Sequence, residues 1–184
     1  MTLLLFPFVT LMIAYSTQIL NLFYGEKYLD AAAPMNIFTI GVGFLTVFYV
    51  LSFALNGANL VKIPMKLSFF GFLGMIILNF LLIPKYALIG AALSTTIISL
   101  LLMIAILIYT EKHFTARLPM RTIALSFISS LLITLLAKFL PHGTITFIIS
   151  GACLFVFYFI LLRLFGELKP SDWAPFAKLF GKKS

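Results

Sequence analysis

Two asparagines stand inside apolar stretches of this chain, Asn79 in "ILNFLLIP" and Asn36 in "APMNIF". A carboxamide carries both an acceptor oxygen and N–H donors, and it costs free energy among apolar side chains unless it is bonded. Each amide therefore has two possible jobs. It can bridge to a neighbouring helix and fix its register, which is the commoner use, or it can touch a polar solute along a path. Small and hydroxylated residues follow Asn79 closely, in "YALIGAALSTTIIS". Ala87, Ala91, Thr95 and Ser99 recur every four residues, with Gly90 and Ser94 beside them. Such a stripe lets one helix backbone approach another closely. The candidate packing or substrate-path residues are thus Asn79, Gly90, Ser94, Thr95 and Asn36.

The rest of the reactive chemistry lies elsewhere. Glu26, Asp30, Glu111, Glu167 and Asp172 all fall outside the apolar runs. His113 falls in a loop and His142 in a turn, and Cys153 has no second cysteine to pair with. The sequence holds no paired carboxylates, metal-ligand spacing, nucleophile–base set or glycine-rich phosphate loop. The expectation is a protein without catalytic residues, cofactor or metal, and not an enzyme.

Composition defines the elements that must position these residues. The chain of 184 residues is 62% apolar and 10% charged, with a mean hydropathy of +1.16. An ordinary soluble domain is about 45–50% apolar and about 25% charged. No soluble fold of this length could hide so much apolar surface, so the surrounding solvent is lipid. Six apolar runs emerge: Leu3–Leu22, Ala31–Leu55, Leu67–Ile83, Tyr86–Tyr109, Thr122–Leu140 and Thr144–Leu162. Each suits one membrane-crossing helix, for which about 20 apolar residues suffice. None shows the alternation of barrel strands. The expected fold is an all-α integral membrane protein with six transmembrane helices, the first starting without a leader and read as a span. Pro84 is expected to end the third helix, making an antiparallel hairpin of the third and fourth.

The net charge of +8 does not mark a nucleic-acid binder, because the basic residues lie between apolar runs. With the N-terminus cytoplasmic, ten of the thirteen fall inside: Lys62, Lys66, Lys112, Arg117, Arg121, Arg163, Lys169, Lys178, Lys182 and Lys183. Only Lys27, Lys85 and Lys138 fall outside. That bias predicts both termini in the cytoplasm. The organisation expected is four helices over residues 1–110, a cytoplasmic loop at 111–121, a terminal helix pair at 122–166 and a tail at 167–184. The tail, "ELKPSDWAPFAKLFGKKS", places Trp173, Phe176 and Phe180 on one face and Lys178, Lys182 and Lys183 within reach of anionic headgroups. It reads as an amphipathic helix lying on the membrane.

Two motifs resemble a known family. "LNLFYGEKYLDAAAPMNIF" is similar to the LFG-x-x-Y outer turn of polysaccharide exporters and O-antigen-type oligosaccharide flippases, with Gly25 and Tyr28 at the marked positions. "NFLLIPKYALIGAALSTT" resembles that family's N-x-x-LIP-x-x-G-x-x-GAA-x-x-T signature through Asn79, Leu82, Ile83, Pro84, Gly90, Ala91, Ala92 and Thr95. Ala87 departs from the pattern, which has glycine there, and leaves a close backbone approach at that point open. These proteins belong to the multidrug/oligosaccharidyl-lipid/polysaccharide exporter superfamily. The resemblance implies a two-lobed transporter of twelve to fourteen helices, of which this chain would form the C-terminal portion. It further implies lipid-linked oligosaccharide as substrate, membrane lipids and the missing N-terminal helices as partners, no nucleic acid, and the cytoplasmic (inner) membrane as location. The alternatives are a multidrug or cation antiporter of the same superfamily, and a non-transporting six-helix accessory subunit of glycan synthesis. Reporters of sidedness fused at Lys27, Lys62 and Lys85 are expected to read outside, inside and outside; an external signal at Lys62 would refute this topology.

Overall fold

The computed structural model describes residues 2–113 and 146–164. The described elements are α1 (Thr2–Ala14), α2 (Ser16–Tyr24), a 3-10 segment (Glu26–Ala31), α3 (Ala32–Gly57), α4 (Lys62–His113) and α5 (Thr146–Leu164). All are helical, as hydrocarbon demands of a backbone that must satisfy its own polar groups. The expected span Thr122–Leu140, most of the loop at 111–121 and the tail at 167–184 lie outside the described residues.

α4 is 52 residues long. A straight helix of that length would reach about 78 Å, far more than the roughly 30 Å of a hydrocarbon core. It is folded in two. Ala87 leaves helical geometry, with φ 48° and ψ −124°, and the two arms run back along each other. A Cβ built on Gly71 would touch the Leu102 side chain, one on Gly74 would touch Ile98, and one on Gly90 would lie 2.3 Å from the Leu82 carbonyl oxygen. The third and fourth apolar runs therefore form the expected antiparallel hairpin. Its break differs from the expectation: Pro84 stays within the first arm, and the chain reverses at Ala87. Proline lacks one N–H but fits a helix end, and it is the residue with positive φ that turns the chain.

α3 packs along the hairpin. Gly41 meets the Thr96 backbone and hydroxyl, where an added Cβ would approach Cα of Thr96 to 2.9 Å. Deeper along the pair, Phe48, Leu55 and Ile106 form a buried cluster with Leu45, Leu51, Leu60, Ile63, Leu67 and Leu102 against it. α1 lies on another face of α3, where Gly43 faces Val9.

The first run, expected as one span over Leu3–Leu22, is two helices bent by 69° around Tyr15. Pro7 sits inside α1 and does not break it. The bend lies instead where buried Tyr15 bonds to buried Ser150 of α5, 2.8 Å between hydroxyl oxygens. Helix ends also extend past the apolar runs. Lys62 and Lys66 lie in the first turns of α4, and His113, expected in a loop, ends it, with Nδ1 2.8 Å from the Tyr109 carbonyl.

The hairpin tip yields a paired prediction. Gly90→Ala is expected to cost about 1–3 kcal/mol, because backbone, not a flexible side chain, occupies the space. Ala87→Gly is expected to stabilise by about 1 kcal/mol by relieving the positive φ. Midpoints of denaturation by sodium dodecyl sulfate should rank Ala87→Gly above the native chain and Gly90→Ala below it. Gly57→Ala, with open space around it, serves as the unaffected control.

Candidate functional site

Near the tip of the α4 hairpin the helices separate into a groove of about 680 Å³. α2 supplies Ile19, Leu20, Phe23 and Tyr24; the start of α3 supplies Pro34, Met35 and Phe38; the second arm of α4 supplies Leu88, Ala91, Ala92 and Thr95. Ala31 closes the end. The volume lies in the range of small-molecule sites. Hydroxyls of Tyr24 and Thr95 are the only side-chain polar groups in this lining, which has no carboxylate, imidazole, thiol or amine. Such a surface can hold an apolar chain by dispersion and water exclusion. No cluster of metal-ligating side chains occurs among the described residues.

The local backbone explains how the groove arises. Gly25 ends α2 with φ 80° and ψ 176°, a region essentially reserved for glycine. Nothing lies within 4 Å of a Cβ built there, so the requirement is conformational and not a matter of space. The turn returns Tyr28 to Tyr24, with ring centroids 5.8 Å apart, and aims the chain into the 3-10 segment and α3. The small side chains at Ala91 and Ala92 leave the opposite wall open.

The sequence candidates do not converge on one point. Thr95 lines the groove, and its hydroxyl donates to the Ala91 carbonyl at 3.0 Å. Gly90 and Ser94 are buried away from the groove lining; Ser94 is fully enclosed and donates to the Gly90 carbonyl at 2.8 Å. The small-residue stripe thus divides: Ala91 and Thr95 face the groove, whereas Ser99 is buried. Asn36 and Asn79 are half-buried, and neither lines the groove. Both have an enclosed Oδ1 that accepts no hydrogen bond within the described structure. The expected interhelical bond from these amides is not made there.

The polar contact between helices falls to a neighbour instead. Thr96 directs one hydroxyl proton between the Ile37 carbonyl of α3 and its own helix's Ala92 carbonyl, each at 2.8 Å. Thr96 stood beside Thr95 in the second motif, and Gly41 and Gly43 stood in "IGVGF". Their close spacing was the available signal for a helix packed on two faces. Tyr15 and Ser150, 135 residues apart, gave none.

Comparison with known structures decides the architecture. The fold resembles part of MurJ. The chain superposes on the lipid II flippase MurJ, in an inward-closed conformation, with a TM-score of 0.76 and 20% identity. The match covers 88% of this chain and 37% of that protein. The sequence is also 38% identical over 89 residues to an uncharacterised membrane protein of Methanocaldococcus jannaschii, covering 48% of this chain and 18% of the archaeal protein. The chain therefore spans a minor part of the length of each protein it matches. No family model matches the sequence.

Substitutions at Thr96 and Asn79 separate the two polar roles. Thr96→Val is expected to cost about 0.6 kcal/mol, the typical value of one hydrogen bond between membrane helices. Asn79→Leu is expected to be neutral or stabilising, since it removes an enclosed oxygen that meets no donor among the described residues. Denaturation midpoints in micelles provide the check.

Proposed function

We propose that this chain forms part of a transporter that moves lipid-linked oligosaccharide or polysaccharide precursors across the cytoplasmic membrane by alternating access. The observation that carries the reading is the fold shared with MurJ, whose name gives lipid II as its cargo. The Gly25–Tyr28 turn and the Asn79–Thr95 signature add to it, because both are motifs of glycan-precursor flippases and both now have structural reasons. Gly25 holds a glycine-only conformation, and the position of Ala87, where those proteins carry glycine, has a positive φ.

In this reading residues 1–110 supply four helices of the C-terminal lobe and residues 122–166 the terminal pair. The remaining helices of the two-lobed machine come from outside this stretch. Both termini lie in the cytoplasm. The work is non-catalytic: no bond of the substrate is made or broken, and no cofactor is required. The groove near the hairpin tip, apolar and bordered by the exposed side chains of Phe23, Tyr24 and Leu88, receives the hydrocarbon part of the substrate. Thr95 and Ala91 keep its hairpin wall open.

The test is made in the producing cell. Loss of the whole protein is expected to leave lipid-linked precursor on the cytoplasmic face and to deplete surface glycan. Ala91→Phe, which puts bulk into the groove from its lining, is expected to slow export about tenfold, as about 1.4 kcal/mol of added barrier would. Normal surface glycan in the deletion strain, with loss of ion-dependent drug efflux, would show an antiporter instead.

A further inference from the structure

A second groove, of about 330 Å³, lies at the opposite end of the described bundle, between the end of α3 and the start of α4. Tyr49, Phe53 and Met65 form its walls and are 53%, 73% and 63% exposed. Asn56 adds an amide to the lining. Val61 and Met65 of this lining are immediate chain neighbours of Lys62 and Lys66. The two lysines are four residues apart, so they share one ridge of α4 beside the groove, and both are exposed. The acidic residue of these two helices, Glu111, lies in the last turn of α4 beside Lys112, so the end of the bundle that holds Lys62 and Lys66 keeps a net positive charge.

We infer that this groove seats an anionic phospholipid, its phosphate at Lys62 and Lys66 and the upper part of an acyl chain against Tyr49, Phe53 and Met65. Lysines at a membrane boundary ordinarily set topology and attract a diffuse layer of anionic lipid. Here they adjoin an apolar trough built from side chains of two helices, which gives a single lipid a place to lie. A zwitterionic lipid carries its own ammonium to its phosphate and gains less from the lysine pair; an anionic one brings uncompensated charge. Asn56 can donate to a phosphate or glycerol oxygen at the same end of α3. This site lies at the other end of α3 from the groove near the hairpin tip and does not depend on what the protein transports.

Brominated lipids provide the test. In the full chain with Trp173→Phe, the substitution Phe53→Trp places the sole indole in the trough. The protein is reconstituted into phosphatidylcholine vesicles containing increasing dibromo-phosphatidylglycerol or, separately, dibromo-phosphatidylcholine. Half-quenching is expected at an about fivefold lower mole fraction of the anionic lipid, because the lysine pair attracts its uncompensated charge. Lys62→Gln with Lys66→Gln is expected to abolish the difference. Equal quenching by the two lipids would overturn the inference, as would an anionic preference that survives loss of both lysines. Tyr49→Trp provides the same readout if Phe53→Trp does not fold.

Discussion

Close approach of backbones is the constraint on which this structure depends. In lipid, an exposed leucine is already in apolar surroundings, so burying it against another helix gains little. What helices gain from one another is dispersion at short range and a few polar bonds, and both require the main chains to come near. Gly90 against the Leu82 carbonyl and Gly41 against Thr96 are the points where they do. The first closes the hairpin of α4; the second fixes α3 upon it and brings the Thr96 hydroxyl to the Ile37 carbonyl.

The two ends of the bundle solve the packing problem differently. Towards the end that holds Lys62, bulky side chains interdigitate around Phe48, Leu55 and Ile106. Past the hairpin tip, Gly90, Ala91, Ala92, Ser94 and Thr95 stand on the second arm, and α2 lies across the groove from it. Small side chains thus serve two ends at once. On one face they permit contact, and on another face of the same arm they leave the space that becomes the larger groove. The hydroxyls on this arm mostly return to their own helix, as Ser94 and Thr95 do, so they add little polarity to the groove.

Much of this was legible in the residues. Apolar run lengths located α3, both arms of α4 and α5, and the small-residue pattern located the hairpin. Gly25 could be marked as a turn, although only the backbone shows why no other residue serves. Ala87 was read as a doubtful close approach; its φ shows that the glycine usual at that position meets a conformational demand. The bend at Tyr15 was not legible, because tyrosine is no helix breaker and the prolines that could have bent the chain, Pro7 and Pro84, lie within helical arms. At the bend Tyr15 meets the Ser150 hydroxyl, a contact that no local periodicity announces. The Thr96 bond to the Ile37 carbonyl was not legible either, because sequence does not say which of several neighbouring hydroxyls faces the next helix.

The reversal at Ala87 has no slack. Leu82 and Gly90 already touch across it, so no flexible loop separates the arms. The hairpin is therefore a single stiff plank, and Thr96 fastens that plank to α3. A tilt of the first arm therefore carries the second arm with it, and the sharp corners among the described residues outside the hairpin and α3 are Gly25 and the elbow at Tyr15.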